Sequence, residues 1–120
     1  MPQITVQYPF ALAAGFDTRR FALTLHTTAA DLIDSPLAGF KTRFLVLYDT
    51  VVGDGSPGHH MVHALVEIRP GRTDKCKEQL GEMVLRLLET HLVLPGGSSV
   101  QVTTEIRELH NYRQIILPRT

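Results

Sequence analysis

Apolar and polar residues alternate with period two from Ile4 to Tyr8, the pattern of a strand with one buried face. Pro2 falls at the first position of that strand, where a missing N–H costs little. Pro9 to Gly15 reads as a loop with Phe10, Leu12 and Phe16 as apolar anchors, and Asp17 or Thr18 offers a helix cap after it. Phe21, Leu25, Ala29, Leu32 and Ile33 then draw one stripe along a helix of about four turns. Asp34-Ser35-Pro36 ends that helix, and Pro36-Leu37-Ala38-Gly39 turns the chain into a long strand from Phe40 to Val52. Phe44, Val46 and Tyr48 share one face of it, Leu45 and Leu47 the other.

The run Gly53-Asp54-Gly55-Ser56-Pro57-Gly58 is the clearest break in the chain. Beyond it Val62, Ala64, Val66 and Ile68 alternate with Met61, His63, Leu65, Glu67 and Arg69 in a further strand. Pro70-Gly71-Arg72-Thr73 leads into a second helix, with Cys76, Leu80, Met83, Val84, Leu87, Leu88 and His91 on one side. Pro95-Gly96-Gly97 stops it. Val100, Val102, Thr104 and Ile106 mark the next strand, and Ile115-Ile116-Leu117 predicts a short terminal one.

This order predicts an α+β two-layer sandwich built of duplicated βαβ units, pseudo-repeats of about 1–52 and 59–117 within one domain of 1–120. Two right-handed crossovers would lay both helices on one face of a four-stranded mixed sheet. The other face, with Gln3, Thr5, Leu45, Leu47, His63 and Leu65, is too apolar to stay wet, which predicts cover by other subunits.

Composition narrows the function classes. A chain of 120 residues with 43% hydrophobic residues can bury roughly two thirds of its unfolded surface. Twelve Lys and Arg balance twelve Asp and Glu without a basic run, so no nucleic-acid partner is expected. The lone Cys76 excludes an intramolecular disulfide and agrees with a reducing compartment. With no apolar run of membrane-spanning length and no signal-peptide pattern, the expectation is a soluble cytoplasmic protein with no membrane partner.

The candidate chemistry begins at Pro2. A small second residue lets the initiating methionine be trimmed, leaving a secondary amine in place of an amide. An α-amine has an unperturbed pKa of about 7.7 to 8.0, and burial near cations lowers it, so the nitrogen could act as a base at neutral pH. The alternative is that Pro2 only begins a strand. Arg72 lies one residue ahead of the cap candidate Thr73, which brings a cation and unpaired helix N–H groups together as an anion site. An exposed arginine paired with a carboxylate is its other explanation. Lys41 and Arg43, two apart on a strand, could meet one substrate carboxylate or serve edge-strand solubility. Arg19 and Arg20 read as surface charge. His59, His60 and His63 invite a metal, but strand residues four apart are separated by roughly 13 Å and neighbours face opposite sides, whereas zinc ligands converge at about 2 Å. No metal is therefore expected. Cys76 on the apolar stripe reads as an inert thiol, Ser98-Ser99 lacks a triad signature, and the Gly-rich break lacks the lysine of a phosphate loop.

Several segments together resemble the tautomerase superfamily, and within it the 5-carboxymethyl-2-hydroxymuconate isomerases. They are Met1-Pro2 before a strand, Pro36-Leu37-Ala38-Gly39, Gly71-Arg72-Thr73 opening a helix, Gly81-Glu82-Met83, Thr90-His91, and Glu105-Ile106-Arg107-Glu108-Leu109-His110. The resemblance implies a homotrimer with active sites near subunit boundaries and a cofactor-free isomerase of aromatic compound catabolism. Its reaction would move a proton within a small unsaturated 2-hydroxy or 2-keto acid. Carried onto this chain, it makes Pro2 the general base and Arg72 the residue that binds a carboxylate or polarises a carbonyl. A second family arginine falls at Lys41, which keeps the charge but loses the planar fork, with Arg43 two residues away as a substitute. The family's basic residue after the first strand is replaced by Leu12-Ala13-Ala14. Hydration or dehalogenation of a related acid, or a non-catalytic trimeric binding protein, are the alternatives.

Overall fold

A computed structural model describes residues 1–119. The strands are β1 (Gln3–Pro9), β2 (Lys41–Leu47), β3 (His59–Ile68) and β4 (Ser99–Glu108), and the helices are α1 (Thr18–Ile33) and α2 (Asp74–His91). They form one four-stranded mixed sheet in the order β2-β1-β3-β4. β1 runs parallel to β2, and β3 parallel to β4, so each helix is the crossover of a βαβ unit. The two units join through antiparallel pairing of β1 with β3.

Local chemistry sets the helix ends. The Asp17 side chain accepts from Arg20 N at 3.1 Å and caps α1, while Asp34, at φ 51°, turns the chain out of it. Thr73 caps α2 in the same way, accepting from Cys76 N at 3.1 Å. Between those ends the apolar stripes do the packing. Phe21, Leu25, Ala29 and Ile33 of α1 and Leu80, Val84 and Leu88 of α2 are buried against Ile4, Val6 and Tyr8 of β1 and Val62, Ala64, Val66 and Ile68 of β3. The two helices lie antiparallel: the Phe21 ring at the start of α1 meets His91 at the end of α2, centroids 5.9 Å apart, and Phe16 bridges to Leu92. Leu32, Cys76, Met83 and Leu87 are partly buried at the margin of this core. Phe16, Phe21, Tyr8 and Phe44 pack edge to face across the β2 side of the layer.

Two predicted strands differ from the structure. The second ends at Leu47 instead of Val52, because its parallel partner ends where Pro9 pairs with Leu47 and the chain then enters a 3-10 turn over Phe10–Gly15. Tyr48, 81% exposed, instead stacks on Phe10 with centroids 5.5 Å apart. Ile115-Ile116-Leu117 forms no strand: Asn111, at φ 55°, turns the chain after β4, and all three side chains stand exposed. On the helix-free face Leu45 and Met61 are exposed, and Gln3, Thr5, Leu47, His63 and Leu65 are half-buried within the protomer. No helix among the described residues is long and apolar enough to cross a membrane.

His26 ties α1 to the edge strand, with Nε2 2.7 Å from Thr42 Oγ1 and its ring 5.6 Å from that of Phe40. Burial lowers its pKa from 6.5. The unfolded chain therefore binds this proton more readily, and stability falls as pH drops below 6.5 toward the folded-state value. Denaturant titrations of the wild type should show that slope, and His26→Asn should flatten it. Phe21→Ala, which empties the centre of the aromatic group, should lower stability by about 3–5 kcal/mol in the same measurement.

Candidate active site

The sheet order decides what surrounds the first residues. Since β1 is parallel to β2 and antiparallel to β3, its start adjoins the start of β2 and the end of β3, and Gln3 pairs with both Lys41 and Glu67. The same corner receives the end of α1 and the start of α2. Lys41 of β2 and Arg69 and Arg72 of the turn between β3 and α2 enter it, while a fourth cation, Arg43, stands two residues further along β2, opposite Thr5.

Pro2 is fully buried and Met1 half-buried. The Pro2 carbonyl accepts from Lys41 N at 3.3 Å, which fixes the strand start against β2. The Met1 α-amine is held below its usual 8.0, first by burial and then by the charges of Arg69, Arg72 and Lys41. Lys41 Nζ donates to the Gly39 carbonyl at 3.0 Å. Arg43 donates to Gln3 Oε1 and, at 3.5 Å, to Thr5 Oγ1, so its guanidinium lies along β1. Arg72 donates through Nη2 at 2.9 Å and Nε at 3.3 Å to the Ile33 carbonyl, and through Nη1 at 3.5 Å to the Arg69 carbonyl. Its charge thus sits at the C-terminal, partially negative end of α1, whose last carbonyls have no helical partner.

The structure therefore brings Pro2, Lys41 and Arg72 to one corner and turns Arg43 toward the open sheet face. Among the described residues none of the four cations has a carboxylate within 4.0 Å, unlike Lys77, Arg86 and Arg107. The surface ion pair that the sequence left open for Arg72 is not formed.

Sequence reasoning missed Arg69, Gln3 and Tyr112. The Arg69 guanidinium lies 5.4 Å from the centroid of the Tyr112 ring, and Tyr112 Oη accepts from Gln3 Nε2 at 2.8 Å. Arg69 continues the alternation of β3 one step beyond Glu67, so its face was readable. Its approach to Met1 needed the antiparallel register, which no local pattern encodes. The histidines lie apart from this corner: His59 bonds Ser99 Oγ at 2.8 Å, His63 bonds Thr103 Oγ1 at 2.7 Å, and no three metal-binding side chains converge among the described residues. A cleft of about 660 Å³ lined by Ala14, Gly15, Asp17, Arg20, Thr90, His91 and Val93 contains none of the four cations.

Two parallel βαβ units joined through antiparallel first strands, with both helices on one face, define the α+β fold of the tautomerase superfamily. The chain belongs to the 5-carboxymethyl-2-hydroxymuconate isomerase family, a family of isomerases whose model matches residues 2–115. It is 32% identical over 83 residues to the 5-carboxymethyl-2-hydroxymuconate Delta-isomerase of Escherichia coli, a match spanning 66% of each chain. The fold is similar to that of a 5-carboxymethyl-2-hydroxymuconate isomerase from Deinococcus radiodurans R1, with TM-score 0.81 and 20% identity over 94% of this chain and 88% of that one. A fused 4-OT, described as a wild-type symmetric trimer, matches with TM-score 0.71 and 14% identity over 89% and 86%.

The amine shift has a direct check. In protein that keeps Met1, the pH dependence of α-amine acylation should report a pKa below 8.0. Arg69→Ala should raise it more than Lys41→Ala, because Arg69 is the strongest of the three charge contributions.

Proposed function

We propose that this chain is a cofactor-independent isomerase that moves a proton within a small unsaturated 2-hydroxy or 2-keto acid, with Pro2 as general base once Met1 is removed. The observation that carries this reading is the crowding of Arg69, Arg72 and Lys41 around a partly buried amine at the chain's start. While Met1 is present the Pro2 nitrogen is an amide without a basic lone pair. After removal it becomes a secondary amine beside the same three cations, which favour its neutral form at pH 7.

That amine would take a proton from an enol hydroxyl or from carbon beside a carbonyl, and its conjugate acid would return the proton further along the conjugated system. The charge that develops is a dienolate, and Arg72 and Lys41 stand where they would stabilise it and hold a carboxylate. Arg72 can do so without leaving the Ile33 carbonyl, since its bonds to the Ile33 and Arg69 carbonyls together use three of five N–H donors. Lys41 brings a single point charge. The planar fork that a bidentate grip on a carboxylate needs comes in our reading from Arg69, with Arg43 engaged by Gln3.

We further propose that the two βαβ units are repeats within one domain and that the protein acts as a homotrimer. The apolar part of the helix-free face, including Leu45, Leu47, Met61 and Leu65, supports burial between copies, and fused 4-OT neighbours are described as symmetric trimers.

Ketonisation of a dienol acid, followed on protein whose first residue is established by intact mass, tests the reading. An added residue before Pro2 should reduce kcat by at least about a hundredfold, the scale of a lost general base. Arg72→Ala should reduce kcat/KM by about 10²–10³-fold. Full turnover with Pro2 still acylated would refute Pro2 as the base.

A further inference from the structure

β4 ends at Glu108 beside the end of β3, and Leu109 N donates to the Ile68 carbonyl at 2.7 Å. Asn111, at φ 55°, then turns the chain. From Asn111 to Arg119 every residue is exposed except Tyr112, so one side chain anchors the segment. Its Oη accepts from Gln3 Nε2 at 2.8 Å, and its ring centroid lies 5.4 Å from the Arg69 guanidinium. The Gln3 amide is oriented from its other side: Oε1 accepts from Arg43 Nη2, which leaves the N–H side for Tyr112. A line of contacts thus runs from Arg43 of β2 through Gln3 of β1 and Tyr112 to Arg69, just beyond the end of β3.

Arg69 needs such a hold. It is exposed, and among the described residues no carboxylate lies within 4.0 Å of it. Its carbonyl is tied down, accepting from Arg72 Nη1 at 3.5 Å, but an untethered arginine side chain has many rotamers and would carry its charge into solvent. The face of an aromatic ring attracts a guanidinium and stacks on its plane. We propose that Tyr112 is a positioning residue of the candidate site: its ring holds the Arg69 guanidinium at the corner occupied by the terminal amine, and the Arg43–Gln3 pair holds the ring. The segment after β4 then belongs to the site although it carries no reacting group. The charges around the amine are those of Arg69, Arg72 and Lys41. Glu67, in register opposite Gln3, acts on Arg107, and Asp74 and Glu108 pair with Lys77. Asp34 follows Ile33 at the end of α1, and His110 and Arg113 flank Tyr112 in exposed positions.

The role of Tyr112 rests on the proposed function only where turnover is concerned, so the amine itself is the first readout. In protein that keeps Met1, acylation of the N-terminal peptide by acetic anhydride is followed by mass across pH. Wild type is compared with Tyr112→Leu, Tyr112→Phe, Arg69→Ala and the Tyr112→Leu, Arg69→Ala double variant. Tyr112→Leu should raise the amine's pKa toward 8.0, as Arg69→Ala should, because the guanidinium leaves the corner. Tyr112→Phe keeps the ring, and its amine should stay below that of Tyr112→Leu. In the Arg69→Ala background Tyr112→Leu should add no further rise, the mark of a residue that acts through another. Tyr112 lies outside the buried core, so thermal melts should match wild type, and a chain ended at His110 removes the ring a second way and should titrate like Tyr112→Leu. In trimmed protein, the acid limb of kcat/KM for a dienol acid should move to higher pH in Tyr112→Leu and less so in Tyr112→Phe. An unchanged amine in Tyr112→Leu and in the shortened chain overturns the proposal. So does a full rise in the Arg69→Ala background, which would mean that the ring acts only by covering the amine. Amine shifts in the expected order with no turnover by trimmed wild type leave the role of Tyr112 standing and remove the isomerase reading alone.

Discussion

The antiparallel pairing of β1 with β3 is the constraint on which the rest of the molecule depends. Each βαβ unit alone would be a helix over two parallel strands with an unpaired edge, too small to bury both sides of its apolar layer. Pairing β1 with β3 makes both first strands central and lets α1 and α2 lie antiparallel over one continuous core. The same pairing brings the end of β3 to the start of β1. In two units joined in parallel, Arg69 and Arg72 would stand at the far end of the sheet from Pro2.

That geometry gathers like charges, which is unfavourable unless something else offsets it. Some of the cost is met within the protomer. Arg72 lies at the negative end of α1, on the Ile33 carbonyl, and the Arg69 guanidinium lies over the Tyr112 ring. What remains uncompensated falls on the terminal amine, whose protonated form is disfavoured. Among the described residues these cations have no carboxylate within ion-pair distance, so carbonyls and a ring, instead of ion pairs, offset the positive charge of the corner. Arg72 thus has a structural role here: the contact that completes a helix end also holds the guanidinium in place.

Much of the fold was legible because it rests on local chemistry. Asp17 and Thr73 cap their helices with their own side chains, and the stripes from Phe21 to Ile33 and from Leu80 to Leu88 are the ones buried. The strands ran astray where pairing, which is not local, sets the length. Tyr48 to Val52 has strand composition, yet β1 has already left the sheet at Pro9. Ile115 to Leu117 has it too, but the turn at Asn111 carries the chain away from the edge of β4.

The site divides along the same line. The sequence by itself determined which residues were candidates for unusual chemistry: a proline at position 2, an arginine one residue ahead of a helix cap, and a lysine and an arginine at a strand start. Those assignments need only composition, spacing and the local rules of caps and turns. Tertiary structure decided which of them meet. It turned Arg43 away to Gln3, gave Arg72 to the Ile33 carbonyl, brought Arg69 and Tyr112 in from segments that had seemed unrelated, and laid Met1 over Gly39. The physical reason is register. A strand's neighbours are fixed by hydrogen bonds to residues that the local pattern does not name, and every contact at this corner follows from which ends of β1, β2 and β3 those bonds align.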